Sequence, residues 1–291
     1  HILLQKDIYG GTRNLVEAQF DRYNIDYTFT DDIDFKYFES AIKKNTKVIY
    51  IETPSNPLLK IVDIEKIAQF AKSKNIITII DNTFATPIIQ KPILFGVDIV
   101  LHSATKYFGG HSDISAGAVA GSQAHIDKIW NLAKNLGGNL SDYSVWLLER
   151  SMKTLSIRVK AQQKNAKKLA KYLSESSFIK KVYYPGLKNH PNHILAKKQM
   201  KGYGAMISFE FIDKIDPSLF LTSLNLIKPS MSLAGVESTM LSPAETSHYL
   251  LTEKERLSQG ITNELIRFSV GIENKKDIIM DIEHAIKLSI K

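Results

Sequence analysis

The sequence has no cysteine among its 291 residues. A disulfide framework and a thiolate-bound zinc or iron–sulfur site are therefore excluded, whereas histidine and carboxylate metal sites stay possible at this point. No apolar run approaches the roughly 20 residues that a membrane span needs, and the chain does not begin with the basic and then apolar pattern of a signal peptide. We therefore expect a cytoplasmic protein with no membrane partner.

The sequence also lacks a long block of like charges, although lysine and arginine outnumber aspartate and glutamate by 38 to 30 and the net charge is +8. The lysine pairs are scattered along the chain: Lys43-Lys44, Lys167-Lys168, Lys180-Lys181, Lys197-Lys198 and Lys275-Lys276. A nucleic-acid-binding face would need clustered charges or interleaved aromatic residues, and no zinc-finger or RNA-recognition motif is present. We therefore expect a solvated surface and no nucleic-acid partner.

What is present, 44% hydrophobic and 23% charged residues, is the composition of an ordinary globular protein. In the first half, short β-branched runs alternate with helical periodicity, which predicts an α/β fold with a mainly parallel sheet flanked by helices. Buried strands are predicted over residues 48–51, 76–80 and 98–102. Between the first two, a helix with an apolar face is predicted to begin after Asp63, its N-cap.

The second half changes character near residue 157. A long helical pattern from Tyr143 to Leu173 bridges the change. Strand-like segments follow at 182–184, 205–209 and 265–270, and the chain ends in an amphipathic helix. We predict two domains, a large one over residues 1–157 and a smaller α+β domain over residues 158–291.

Polar residues follow the predicted strands, where open α/β sheets bind their ligands. Asp81 emerges from a buried strand, so its carboxylate needs a partner such as a cation or a protonated ring nitrogen, unless it serves as a helix cap or a structural hydrogen-bond acceptor. Lys106 follows another buried strand, and an amine among apolar groups loses its charge more readily, as a covalent lysine must. A solvated lysine is the alternative. Ser103 and Thr105 flank Lys106 with hydroxyls that suit phosphate oxygens.

Several short motifs are spread along nearly the whole chain. In the first half they are Asp7-Ile8-Tyr9-Gly10-Gly11-Thr12, Glu52-Thr53-Pro54-Ser55-Asn56-Pro57, Asp81-Asn82-Thr83-Phe84, His102-Ser103-Ala104-Thr105-Lys106-Tyr107 and Gly110-His111-Ser112-Asp113. In the second half they are Ser232-Leu233-Ala234-Gly235-Val236-Glu237-Ser238, Ser247-His248 and Ile266-Arg267-Phe268-Ser269-Val270-Gly271-Ile272-Glu273. Together they resemble the Cys/Met metabolism family of pyridoxal-phosphate (PLP) enzymes, the transsulfuration group.

This resemblance implies fold type I of the PLP enzymes, with a mainly parallel central sheet flanked by helices and a smaller α+β C-terminal domain. It makes residues 1–157 the PLP-binding domain and PLP the cofactor. It also implies an amino-acid substrate and a homotetramer built from tight dimers.

The resemblance also assigns residues to the cofactor. Lys106 would bind PLP covalently and later move the proton between substrate carbons, and Asp81 would keep the pyridine nitrogen protonated. Tyr9 would stack on the ring and act as an acid or base at the leaving group. Ser103 and Thr105 would hold the phosphate.

Three residues are implied to contact the substrate. Arg267 would bind its carboxylate, for which a planar bidentate donor is well suited. Ser232 would assist Arg267, and Asn56 would hydrogen-bond near the ring oxygen or the substrate. No metal ligand is among the implied residues.

Two departures from the family pattern are visible. Family members begin earlier, with a segment that carries a phosphate-binding loop and side chains that reach the neighbouring subunit, and the sequence starts at His1 without it. We therefore expect the large domain to be N-terminally incomplete and to bind PLP weakly. The second departure is Ala234, where the family commonly has glycine, which is expected to narrow the substrate pocket.

The reaction within the family stays open. Gly11 stands where methionine γ-lyases carry cysteine, which disfavours that activity. The motifs Gly10-Gly11-Thr12 and Gly235-Val236-Glu237-Ser238 resemble those of γ-synthases and of bacterial cystathionine lyases. We place a cystathionine γ-synthase, which joins an acylated homoserine to cysteine, slightly ahead. The alternatives are a cystathionine β- or γ-lyase and, from another class, a catalytically idle PLP-fold ligand-binding protein.

Overall fold

A computed structural model describes residues 1–246 and 252–291. The chain forms two compact units. The first comprises His1–Asn56, Lys60–Thr105 and Ile114–Arg150, and the second comprises Pro57–Leu59, Lys106–Asp113 and Ser151–Lys291. The Ser247-His248 motif lies outside the described residues.

The first unit is built around a six-stranded sheet. Its strands are β1 (Ile2–Leu4), β2 (Tyr27–Phe29), β3 (Val48–Glu52), β4 (Ile77–Asp81), β5 (Ile99–Ser103) and β6 (Gly117–Gly121). They lie in the order β2-β1-β3-β4-β5-β6; β6, at the edge, is antiparallel to β5, and the others pair in parallel. Its helices are α1 (Gly10–Gln19), α2 (Phe35–Ala41), α3 (Ile64–Ser73), α4 (Thr86–Ile89), α5 (Gln123–Leu136) and α6 (Asp142–Met152). The prediction of a mainly parallel α/β sheet is confirmed.

Alternate residues of the central strands pack on opposite faces of this sheet. On β3, Ile49 joins one core cluster and Tyr50 joins another. The first cluster also contains Phe38 of α2 and Ile64 of α3, and the second contains Val16 of α1. Because side chains alternate along a strand, a sheet covered by helices on both faces needs strands that are apolar at successive positions. The β-branched runs of the sequence satisfy this requirement.

The three predicted strands of this unit are present, each ending one residue later than expected. The predicted helix is α3, and its N-cap is confirmed because the Asp63 carboxylate accepts a hydrogen bond from the Lys66 N–H at 3.0 Å. The small shift at the strand ends matters for the site, because it makes a polar residue the last member of β3, β4 and β5.

The second unit has a five-stranded sheet of mainly antiparallel pairs, as expected of an α+β domain. Its strands are β7 (Ile179–Tyr183), β8 (Met206–Phe211), β9 (Lys228–Pro229), β10 (Thr239–Leu241) and β11 (Leu265–Ser269), in the order β7-β8-β11-β10-β9. Its helices are α7 (Leu155–Glu175), α8 (His193–Gln199), α9 (Pro217–Thr222), α10 (Glu253–Ser258) and the terminal α11 (Lys275–Leu288). Phe209, Phe211 and Phe220 pack edge to face in its core, with ring centroids of the last two 4.8 Å apart.

The helical pattern predicted from Tyr143 to Leu173 is confirmed over most of its length, but it is not one continuous helix. It is divided into α6 and α7 at Lys153 and Thr154. The carbonyl of Ser151 accepts hydrogen bonds from the Thr154 hydroxyl at 3.1 Å and from the Arg158 guanidinium at 2.9 Å. The same carbonyl accepts a hydrogen bond from the Thr154 N–H at 3.2 Å, which spans three residues instead of the four of a continuous α-helix, so the helix ends here.

Within residues 1–246 and 252–291, no helix combines the length and the apolar character needed to cross a membrane. The same residues contain no group of three or more His, Asp or Glu side chains arranged to bind a metal ion.

Candidate active site

Three neighbouring strands of the first unit end in polar side chains at the carboxyl end of the sheet. Glu52 ends β3, Asp81 ends β4 and Ser103 ends β5. Glu52 and Asp81 are register partners in the parallel β3–β4 pair. The carboxyl ends of parallel strands therefore bring together residues that are distant in sequence, in the position where α/β proteins bind ligands.

Asp81 is held by the residue two positions further on. Its Oδ1 accepts a hydrogen bond from the Thr83 N–H at 2.9 Å, and the Thr83 hydroxyl accepts one from the Ser103 N–H at 2.8 Å. Burial raises the pKa of Asp81 above its ordinary value, although the hydrogen bonds from Thr83 oppose this shift. A carboxylate in this state gains most from a cationic partner, because a nearby positive charge favours its ionised form.

Glu52 is a member of this cluster to which the sequence alone assigned no role. It is buried, and its Oε2 accepts a hydrogen bond from the Tyr9 N–H at 2.7 Å. A backbone hydrogen bond from Asn56 also reaches its carboxylate. Burial first, and then the charge of Asp81, raise the pKa of Glu52 well above its usual range. Its place as the polar last residue of a buried strand, like that of Asp81, was the available signal.

Glu52 thereby fixes two predicted site residues. Tyr9 lies at the N-cap position of α1, and its side chain is 57% exposed. Asn56 lies four residues beyond the end of β3. Because the backbone N–H groups of both residues hydrogen-bond to the Glu52 carboxylate, Tyr9 and Asn56 lie at the carboxyl end of the sheet, where Asp81 also lies.

The two hydroxyls expected to hold the phosphate differ in their surroundings. Ser103 is half-buried at the end of β5. The Thr105 hydroxyl accepts a hydrogen bond from the Ala116 N–H at 2.9 Å and donates one to the Ala116 carbonyl at 3.2 Å. A hydrogen bond from the Thr105 hydroxyl to a phosphate would therefore compete with its hydrogen bond to the Ala116 carbonyl.

In the second unit, Lys106 opens the turn that follows β5 in the sequence. Its carbonyl accepts a hydrogen bond from the Gly110 N–H at 2.7 Å, which closes the turn. Burial first, and then the positive charge of Arg267, lower the pKa of Lys106. Both effects increase the neutral, nucleophilic fraction of the amine, as covalent chemistry at a lysine requires.

Arg267 and Ser232 also lie together in the second unit. Arg267 is a buried residue of β11, and its guanidinium donates to the Met231 carbonyl at 2.9 Å. Ser232 is the next residue, in the loop between β9 and β10. Arg267 therefore contacts the loop that carries Ser232.

Ala234 adopts a left-handed backbone conformation, with φ of 69°. This conformation costs a residue with a Cβ atom about 1 to 2 kcal/mol, whereas glycine adopts it freely. The position is held by the Ala234 N–H, which donates to the Ser269 hydroxyl at 2.7 Å. Ala234, which stands where the family commonly has glycine, is therefore under local backbone strain.

Comparison with known proteins identifies the family. The profile of the Cys/Met metabolism PLP-dependent enzymes matches residues 1–287. The chain belongs to this family. The proteins that it resembles include a cystathionine beta-lyase of Lactococcus lactis and a cystathionine gamma-lyase of Bacillus subtilis, each 44% identical over 99% of this chain and 76% of the relative.

A solved structure agrees with these matches. The crystal structure of cystathionine gamma-lyase from Lactobacillus plantarum complexed with L-serine is 43% identical and superposes with a TM-score of 0.96, over 99% of this chain and 76% of that one. The chain is therefore a PLP-dependent enzyme with fold type I, as predicted.

The residues present fit the cofactor of the family. The half-buried carboxyl of Asp81, with its raised pKa, suits a protonated pyridine nitrogen, and the Ser103 hydroxyl lies at the carboxyl end of a strand, where α/β sheets bind ligands. In the second unit, the lowered pKa of Lys106 suits a covalent bond to an aldehyde. PLP is the cofactor of this enzyme family.

Proposed function

We propose that the protein is a cystathionine lyase, which eliminates across a carbon–sulfur bond of its substrate. The observation that carries this proposal is the 44% identity over 99% of the chain to relatives named cystathionine lyases. This reading replaces the γ-synthase expected from the sequence, because the closely similar relatives reported above carry lyase names. Elimination from an amino-acid substrate requires a hydrogen-bond donor to the substrate carboxylate, a group that transfers protons and an electron sink.

The residues of the first unit are proposed to bind and tune the cofactor. PLP supplies an electron sink for the carbanion formed at the substrate. Asp81 holds the proton on the pyridine nitrogen. Tyr9 stacks on the ring and transfers a proton at the leaving sulfur, and Asn56 bonds near the ring oxygen or the substrate. Ser103 and Thr105 bind the phosphate.

The residues of the second unit are proposed to handle the substrate and its proton. Lys106 anchors the cofactor and then removes and returns the proton at the substrate carbons. Arg267 binds the substrate carboxylate, with Ser232 assisting. The lowered pKa of Lys106 supports its role, because an amine must be neutral to accept a proton.

The reaction type can be read from products. We expect the enzyme, incubated with cystathionine and PLP, to release a 2-oxo acid, ammonia and a thiol. β-Elimination gives pyruvate and homocysteine, whereas γ-elimination gives 2-oxobutyrate and cysteine, so chromatography of the oxo acid separates the two. Formation of cystathionine from an acylated homoserine and cysteine, at a rate above that of elimination, would contradict the lyase proposal and support the synthase.

We also propose that the protein self-associates, as the predicted homotetramer requires. The first unit exposes an apolar surface on α5 and α6: Trp130, Leu132, Leu136, Tyr143, Val145 and Trp146 are each more than half exposed. α5 has no buried residue. Large apolar side chains are exposed on both helices, and exposed apolar surfaces of this kind are typical of protein interfaces.

Sedimentation velocity tests this proposal. We expect the wild type to sediment as a tetramer and Trp130→Glu to shift to smaller species, because a charge replaces an aromatic anchor. Leu94→Glu is the control, since Leu94 is 77% exposed and lies outside α5 and α6. A Trp130→Glu variant that sediments like Leu94→Glu would rule out this surface.

A further inference from the structure

Arg158 is a buried cation of the second unit. It lies in the first turn of α7 and is 5% exposed. Its four acceptors found within the described residues are uncharged: the carbonyls of Tyr107, Phe108 and Ser151, at 2.7, 3.2 and 2.9 Å, and the Thr154 hydroxyl at 3.1 Å. A buried charge without an opposite charge is costly, so its hydrogen bonds to these four acceptors must offset the cost of burial.

Two of these acceptors belong to the turn that begins at Lys106. Tyr107 and Phe108 are 2% and 7% exposed, so their carbonyls are removed from water and require donors within the protein. The Arg158 guanidinium bonds to both, and its fork of N–H groups can meet several oxygens at once. A single arginine thus holds the backbone directly after Lys106.

The end of the same turn also fits closely around the guanidinium. Gly110 has φ of +72°, and a Cβ atom at this position would lie 1.9 Å from Arg158 Nη1. The Gly110 N–H closes the turn onto the Lys106 carbonyl at 2.7 Å. Glycine at 110 therefore allows both the left-handed backbone and the close approach of the arginine.

We propose that Arg158 is a positioning residue for Lys106: its guanidinium fixes the turn 106–110 and thereby the point from which the Lys106 amine reaches the cofactor. This proposal rests on the proposed role of Lys106. Misplacing a reacting group by about 1 Å can lower a rate 100-fold. A loosened turn would therefore weaken the covalent attachment of PLP and slow turnover more than it changes substrate affinity.

The test compares Arg158→Met and Arg158→Lys with Lys160→Met, which changes an exposed residue of the same helix. Each protein is equilibrated with a series of PLP concentrations, reduced with borohydride and digested, and the labelled fraction of the Lys106 peptide gives an apparent Kd. We expect Arg158→Met to raise this Kd at least tenfold and to lower kcat for cystathionine with KM changed less than threefold. Lysine should rescue in part, because an ammonium cannot reach all the carbonyls.

A second pair of variants tests the same contact without substituting Arg158. Gly110→Ala should displace the guanidinium and raise the apparent Kd, whereas Gly137→Ala should not. Gly137 has a similar φ of +78° and open space around it, so this control reproduces the backbone strain without the collision. If Arg158→Met does not fold, Gly110→Ala and Arg158→Lys carry the test.

The proposal is overturned if folded Arg158→Met has an apparent Kd and kcat within twofold of Lys160→Met, even if it melts at a lower temperature. It is equally overturned if Gly110→Ala matches Gly137→Ala. A wild-type label on a lysine other than Lys106 would contradict the proposed function instead, and the wild-type peptide map reports this separately from the variants.

Discussion

Replacing Lys106 with alanine is expected to abolish covalent attachment of PLP and to lower turnover of cystathionine by at least about 10³-fold. The amine has two proposed tasks, anchoring the cofactor and moving the substrate proton, and alanine can do neither. Its lowered pKa, caused by burial and by Arg267, provides the neutral amine that both tasks require. The measurements are the visible absorbance of the purified protein, the borohydride-labelled peptide and the steady-state rate.

Lys91→Ala is the matched control for this variant. Lys91 is exposed in the first unit, so its loss should leave absorbance, label and rate unchanged. A small primary amine added to Lys106→Ala should restore part of the turnover, because it supplies the missing base. A Lys106→Ala protein that still carries the cofactor covalently after reduction would assign the role to another lysine.

The parts of the fold that the sequence predicted are those with strong local signals. β3, β4 and β5 are rich in β-branched residues that pack into core clusters on both faces of the sheet, and α3 has both an apolar stripe and an Asp63 cap. β6 gave no such signal, because Gly117–Gly121 is composed of glycine, alanine and one valine. Its strand conformation comes from pairing with β5, which is a tertiary effect.

The same distinction applies to the site. Asp81 is the last residue of β4 and Lys106 follows the end of β5 by three residues, so their placement could be predicted from the local sequence. Glu52 bonds to Tyr9, 43 residues away, and Arg158 bonds to Tyr107, 51 residues away. Such roles depend on long-range contacts that no local pattern records. The break between α6 and α7 has the same origin, since Arg158 contributes to it through Ser151.

Asp81→Asn is expected to lower kcat at least about 100-fold, which corresponds to about 2.7 kcal/mol at 1.36 kcal/mol per tenfold change. An asparagine amide cannot hold a proton on the pyridine nitrogen, so the cofactor loses much of its capacity to accept electrons. The fold should be retained, because asparagine keeps the shape and an acceptor for the Thr83 N–H. Steady-state kinetics and far-UV circular dichroism measure the two effects.

Asp98→Asn is the matched control, since Asp98 lies just before β5, at the opposite end of the strand from Ser103. Its Oδ2 accepts hydrogen bonds from the N–H and the hydroxyl of Thr78, each at 2.8 Å. Loss of this carboxylate should lower stability and leave kcat of the folded enzyme unchanged. Equal kcat in Asp81→Asn and Asp98→Asn would remove Asp81 from the cofactor site.

The raised pKa of Asp81 gives the Asp81→Asn variant a second measurable effect that does not depend on turnover. A carboxyl whose pKa is higher in the folded than in the unfolded protein binds its proton more tightly when folded. The associated stability is fully present below the unfolded pKa and is lost as the pH rises through the folded pKa. In the cofactor-free protein, Asp81→Asn should therefore gain stability relative to the wild type as the pH increases through this window. Denaturant unfolding at a series of pH values measures the difference, and a difference independent of pH would show that Asp81 does not carry the burial penalty that a cationic partner is proposed to relieve.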